Sequence, residues 1–253
     1  VKELQGMGIQ PDIIVCRSEY PLDKGIKDKI ALFCNVPSSH VLQNLDVEYL
    51  YEAPLAMEEE HLAQVACECL NLPCPEPDLT DWKAMCTALK HPHGDVSVAL
   101  VGKYTQLHDA YISVVEALKH GGIANGVSVN IKWVDSEKVT SDNAAEFFND
   151  VSGIIVPGGF GDRGIEGMIQ AIRYARENSI PFLGLCLGMQ LTIVEFTRDV
   201  IGYNDAHSVE FLPGTTHPVI HLMPDQEGID DIGGTLRLGS YPCILDENSK
   251  AYA

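Results

Sequence analysis

From Asp95 onward, short apolar runs and longer amphipathic ones take turns along the chain. "VSVALVGKY" reads as a buried strand, and "DAYISVVEALKHGG" follows it with helical spacing, an acidic start and a Gly-Gly stop. "GVSVNIKWV" alternates as a second strand, and "GIIVPGGFG" is a third. "GIEGMIQAIRYARENS" has the period of a second helix, and "IPFLGLC" is a fourth strand that runs into the helical "LGMQLTIVEFTRD". Strand-helix alternation with short loops predicts an α/β fold with a doubly wound, mostly parallel sheet. In such sheets ligands gather beyond the carboxyl ends of the strands. The two Gly-rich ends, "PGGFGDRG" and "GLCLG", both fall there, so the spacing brings them side by side.

Ahead of Asp95 the pattern is different. Three strand-like runs, "PDIIVC", "KIALFCNV" and "DVEYLYEAPL", precede a helical one, "EEEHLAQVACECLNL". These are too few elements to close a sheet covered on both faces, so residues 1–74 are expected to be a fragment of a second α/β domain. The proline-rich stretch "PCPEPDLTDWKAMCTALKHPHGD" encloses a short amphipathic helix, and residues 75–94 read as a linker. Residues 95–253 form the second domain.

Charge narrows the partners. With 17 basic against 36 acidic side chains the formal net charge is -19, which opposes broad contact with nucleic acid or an anionic membrane. A phosphate-bearing ligand then needs local basic spots and backbone N–H groups. No apolar run approaches the roughly 20 residues of a membrane span, and "VKELQGMGIQPD" lacks the apolar core of a signal peptide; a soluble, cytoplasmic protein is expected. The 8 cysteines are scattered and are expected to be reduced. Cys67, Cys69, Cys74 and Cys86 with His91 and His93 match neither a CxxC nor an HxxxH spacing, so no metal site is expected.

The chemistry concentrates at Gly184-x-Cys186-x-Gly188, placed at a strand-to-helix turn. This is the geometry of a nucleophile elbow, in which small neighbours are required because no side chain fits in so sharp a turn. Free N–H groups in the first turn of a helix favour a thiolate. Acyl transfer also needs donors for the oxyanion, which the N–H of Leu187 and that of Gly158 or Gly159 can supply. The competing reading makes Cys186 a small buried hydrophobe, the commonest fate of a free cysteine.

"PFLGLCLGMQ", with "VPGGFGDRG" upstream and "GGTLRLG" downstream, resembles the triad-type (class I) glutamine amidotransferase domain of the CTP synthase family. "VALVGKYTQLHDAYISVVEALKHGG" resembles the start of that family's glutaminase domain, and "GIQPDIIVCRS" and "KIALFCNVP" the end of its synthetase domain. The resemblance runs collinearly over essentially the whole chain. It implies a flavodoxin-like glutaminase domain that hydrolyses glutamine, and a synthetase (amidoligase) domain that uses ATP and Mg2+ to aminate UTP to CTP in pyrimidine biosynthesis. A homotetramer and activation by GTP are implied as well.

Carried over by motif, Cys186 is the nucleophile, and Leu187 and Gly159 are the oxyanion-hole donors. Phe160, Gln190 and Glu210 face the glutamine. Lys103, Arg163, Gly164 and Glu166 serve the GTP response, and Arg17, Lys29, Asp46 and Val47 contact nucleotide. Plainer readings exist for several: Arg163 and Glu166 as an exposed i, i+3 pair worth a few tenths of a kcal/mol, Glu210 as a surface acid, Arg17 and Lys29 as solvated cations. His207 and the His217 of "THPV" invite assignment as the base, but the family's base lies in a His-Pro-Glu motif and Val219 stands where the glutamate belongs.

Two departures limit what is expected. No GxxxxGK phosphate loop occurs, and the sequence stops at "LDENSKAYA" before the family's arginine-rich segment and His-Pro-Glu motif. The chain alone is therefore expected to be a fragment that hydrolyses glutamine very slowly or not at all, with no cofactor bound. Another class I amidotransferase, or a module that binds nucleotide or glutamine without chemistry, are the alternatives.

Overall fold

The computed structural model describes residues 1–222, 242–249 and 252. The "GGTLRLG" stretch lies outside the described residues. The chain divides into two compact units, residues 1–96 with 115–130, and residues 97–114 with the chain from 131 on.

In the first unit α1 spans Lys2–Gly6, β1 Ile14–Ser18, α2 Lys24–Cys34 and β2 Val41–Leu45. Helices α3 (Ala53–Glu59), α4 (Leu62–Leu70) and α5 (Thr80–Lys90) follow. β1 and β2 pair in parallel, with Ile14 opposite Val41 and Ser18 opposite Leu45. Two expectations are corrected here. "KIALFCNV" is the second half of helix α2, not a strand, because the Asp23 side chain caps the helix by accepting from the Ile26 N–H at 2.9 Å and Asn35 ends it in the left-handed region at φ 54°. "DVEYLYEAPL" is no strand either: the chain turns at Leu50–Glu52 and enters α3 with a proline in its first turn. The strand that pairs with β1 is the more polar "VLQNL" just before it.

Strand β3 covers Gly94–Gly102, α6 Ile112–Ala124, β4 Val127–Asp135, α7 Ala144–Phe148, β5 Gly153–Val156, α8 Ile165–Glu177, β6 Phe182–Gly184 and α9 Leu187–Phe196. A π-helical turn at Thr197–Ile201 and two short paired strands, β7 (His207–Ser208) and β8 (Pro218–Ile220), follow α9. The Gly-Gly pair does not stop α6, which runs on to Ala124. Gly122 is buried inside it, where an added Cβ would lie 2.6 Å from the Val127 carbonyl oxygen.

The four-stranded sheet has the order β4-β3-β5-β6, with β3–β5 and β5–β6 parallel, as the alternation predicts. All four residues of β5 are buried, which suits a parallel strand covered on both faces. Ile154 and Val156 join Met168, Ile169 and Ile172 of α8 and Leu187, Leu191 and Val194 of α9 in one core. The strand order reverses between β3 and β5, and the crevice beyond their carboxyl ends is where such sheets place a ligand. Among the described residues no helix is long and apolar enough to cross a membrane.

Candidate active site

In-register pairing sets the site. Val156, the last residue of β5, lies opposite Gly184, the last of β6, so the loops leaving both strands start side by side. The Leu185 N–H donates to the Val156 carbonyl at 2.9 Å, and the chain then reverses into α9 within two residues. Cys186 is the N-cap of that helix, with φ 51° and ψ -105°. A residue with a Cβ pays of order 1–3 kcal/mol for such a conformation, and it persists only where the surroundings enforce it.

The flanking glycines do the enforcing. A Cβ on Gly184 would sit 2.6 Å from the carbonyl carbon and oxygen of Gly188 and 2.7 Å from the Met189 nitrogen. A Cβ on Gly188 would sit 2.1 Å from the Val156 carbonyl oxygen. Gly188→Ala is accordingly expected to destabilise the protein by about 1–3 kcal/mol, read as a lowered melting temperature, since α9 would have to lift off β5. The thiol itself is exposed, so the reading of Cys186 as a buried space-filler does not hold. Leu187 behind it is buried, and its N–H is one of the four that a helix start leaves without an intrahelical partner.

The Gly-rich loop closes on the thiol from the neighbouring strand. A Cβ on Gly158 would lie 3.3 Å from the Cys186 Cβ and 3.8 Å from its Sγ, so the glycine leaves room beside the sulfur. Gly159 is backed by Leu187 Cδ2 and Lys103 Cε, each 3.5 Å from where its Cβ would stand. Lys103, only 5% exposed, donates from Nζ to the Phe160 carbonyl at 2.8 Å and to the Gly161 carbonyl. Burial, and then the nearby Arg163, lower the Lys103 ammonium below the ordinary lysine value, while Asp162 and Glu210 act in the opposite sense.

Of the residues expected to contact glutamine, Phe160 is 83% exposed at the loop tip, Gln190 is half-buried in the first turn of α9, and Glu210 is exposed. Arg163 and Glu166 do not pair with each other. Arg163 bonds Glu137 at 2.6 Å and the Lys103 carbonyl at 3.1 Å and stands 5.7 Å over the Tyr104 ring. Glu166 accepts from Arg198 at 3.0 and 3.1 Å, and Gly164 between them caps α8 with φ 72°. These partners lie 26 to 60 residues away in sequence, where no spacing rule reaches them.

His217 is held by Asp205, 2.6 Å from Nδ1, and stacks on Tyr203 with ring centroids 4.2 Å apart. Hydrogen bonds from the Thr216 hydroxyl first, and then from His217, hold the Asp205 carboxyl well below the usual carboxylate range. In the first unit Arg17 pairs with Asp46 at 3.2 Å, and both, with Val47, line a cleft of about 370 Å³. Lys29, exposed on α2, is not among the residues that line it. Among the described residues no three His, Cys, Asp or Glu side chains cluster as metal ligands.

Comparison with known proteins gives the chain its relatives. The family model "Glutamine amidotransferase class-I" matches residues 106–252, and "CTP synthase N-terminus" matches residues 1–72. The CTP synthase of Clostridium acetobutylicum is 57% identical over 252 residues, covering 100% of this chain and 47% of that protein. The CTP synthase of Geobacillus kaustophilus is 53% identical over 253 residues, covering 100% of this chain and 48% of that protein. The chain thus spans about half the length of the curated relatives it matches. A solved structure, "Trypanosoma brucei CTPS - glutaminase domain with bound acivicin", aligns with a TM-score of 0.49 and 42% identity over 51% of each chain.

Proposed function

The chain belongs to the class-I glutamine amidotransferases, and from that premise we propose that it is part of a CTP synthase in which Cys186 releases ammonia from glutamine for the ATP-dependent amination of UTP. The observation that carries the reading is Cys186 itself: an exposed thiol at a strained N-cap between two glycines that admit no side chain, facing a Gly-rich loop. The resemblance to curated CTP synthases over the whole chain supports the acceptor.

The thiolate adds to the carboxamide carbon of glutamine, and the carbonyl π pair moves to oxygen. The Leu187 and Gly159 N–H groups point their dipoles at that oxyanion; one such donor is typically worth about 10²–10³ in rate. When the tetrahedral species collapses, the C–N bond breaks, ammonia leaves with a proton from a general acid, and a γ-glutamyl thioester remains for water to hydrolyse. Phe160, Gln190 and Glu210 hold the glutamine. His217, whose Nδ1 bonds Asp205, is not assigned the proton transfer, because the resemblance puts the base in a His-Pro-Glu motif that "THPV" does not match.

By the same reading residues 1–74 are the end of the synthetase domain, 75–94 a linker and 95–253 the glutaminase domain. Arg17, Asp46 and Val47, gathered around one cleft, contact the ATP adenine, and Lys29 a nucleotide phosphate. Arg163, Gly164 and Glu166 serve the GTP response. Lys103, being buried, takes part only through the loop it holds. ATP, UTP and GTP bind a cytoplasmic homotetramer, and no Mg2+ ligand is assigned on this chain.

The test is product formation by the protein at the relatives' full length. Glutamine, UTP and ATP together are expected to yield CTP, with ammonia replacing glutamine as nitrogen donor. Glutamine hydrolysis without any UTP-dependent consumption of ammonia would instead indicate another acceptor.

A further inference from the structure

We propose that Lys103 is a positioning residue that fixes the oxyanion-hole backbone of the glycine loop, by donating to the carbonyls of Phe160 and Gly161 with its stem packed beneath Gly159. The inference rests on the reading of Cys186 as an acyl-transfer nucleophile. It starts from an imbalance in the loop's own bonding. Among the described residues, no backbone–backbone hydrogen bond joins residues 158–161 to the rest of the fold. Glycine-rich backbone without such bonds samples many conformations, whereas an oxyanion hole works only if its N–H dipoles are already aimed.

Lys103 supplies the missing constraint. It follows directly on β3, and its N–H donates to the Tyr111 hydroxyl at 3.1 Å from within the fold. Its carbonyl accepts from Arg163 Nη2 at 3.1 Å, so the residue's own backbone is held at both ends. From that fixed base the ammonium reaches the carbonyls of Phe160 and Gly161, and Cε backs the Gly159 Cα. The Phe160–Gly161 and Gly161–Asp162 peptide units are thereby anchored, and together with the Cε contact at Gly159 they restrict the turns open to the Gly159 N–H one unit upstream. A side chain spent on surface charge would not be 95% buried against two carbonyls of a catalytic loop.

Two electrophiles separate positioning from mere folding, and both are used on the protein at the relatives' full length. A chloromethyl ketone analogue of glutamine passes through an oxyanion: the thiolate adds to the ketone carbon and the π pair moves onto oxygen, sulfur then displaces chloride from the adjacent methylene through a three-membered episulfonium, and the oxygen pair re-forms the carbonyl as the first C–S bond breaks, leaving the thioether on the methylene. Iodoacetamide has its iodide displaced at a saturated carbon and makes no oxyanion. Rates at Cys186 are read by peptide mass spectrometry, with Cys186→Ala as the blank. For Lys103→Met the chloroketone rate is expected to fall about 10-fold or more while the iodoacetamide rate stays roughly unchanged. Equal falls in both rates, or no fall in either, overturn the proposal. If the Met variant fails to fold, Lys103→Gln, which keeps only a neutral donor, takes its place and the same two rates decide. A wild-type Cys186 no more reactive toward the chloroketone than the protein's other cysteines overturns the nucleophile reading itself, and is seen before any Lys103 variant is made.

Discussion

Introduced into the protein at the relatives' full length, Cys186→Ala is expected to lower glutamine-dependent amination by about 10⁶-fold, the scale seen when a hydrolase loses its nucleophile. Amination supported by added ammonia should stay close to wild type, because the lost step only supplies the ammonia. The fold should survive the change. The Cys186 side chain is exposed and makes no capping hydrogen bond, so alanine forfeits little packing and no polar contact. Alanine also carries a Cβ and inherits the strain at φ 51° unchanged. Cys186→Gly does not inherit it. That variant should be equally inactive but more stable than Cys186→Ala, by a fraction of the 1–3 kcal/mol stored in such conformations. Glutamine-dependent activity retained in Cys186→Ala would remove the thiol from the mechanism. An ammonia-dependent activity lost in parallel would mean that the substitution had damaged more than the glutaminase site.

The elbow was legible in the sequence because its requirements are local. A thiol flanked two residues away on each side by glycine, at the end of an apolar run, permits few backbone arrangements, and the Gly-rich end of the previous strand lies adjacent by topology. The buried strands of the sheet were equally legible, since "VALVG" and "GIIV" carry the continuous apolar character of strands covered on both faces. Where the reading failed, a local signal was outvoted by composition. "IALFC" looks like a buried strand, yet Asp23 in front of it and Asn35 with Pro37 behind it are the start and stop of a helix. Strand β2 was missed for the opposite reason: Gln43 and Asn44 make it too polar for a strand signal, although Gln43 is engaged by Glu60 through both its backbone N–H and its side chain. The burial of Lys103, the partners of Arg163 and Glu166, and the pairing of Arg176 with Glu195 had no sequence signal, because each joins residues that only the packed fold brings together.

That last pairing bears on how the two halves of the site stay in register. Helix α8 begins just after the glycine loop and α9 begins at the thiol, so the spacing between the helices bears on the spacing between that loop and Cys186. Toward their far ends Arg176 of α8 donates from Nη2 to Glu195 of α9 at 2.7 Å and from Nε to both carboxylate oxygens at 3.0 and 3.2 Å. Glu195 is 1% exposed, while Arg176 keeps a third of its side chain in contact with solvent. The two partners are therefore unequal. Arg176→Met strands a carboxylate among apolar side chains and is expected to cost about 3–5 kcal/mol at neutral pH, measured by denaturant unfolding. Arg176→Met combined with Glu195→Met should lose far less than Arg176→Met alone, because replacing both members of a buried pair leaves no uncompensated charge. A single-variant cost that is small would mean that water reaches Glu195 and that apolar packing alone keeps the helices together.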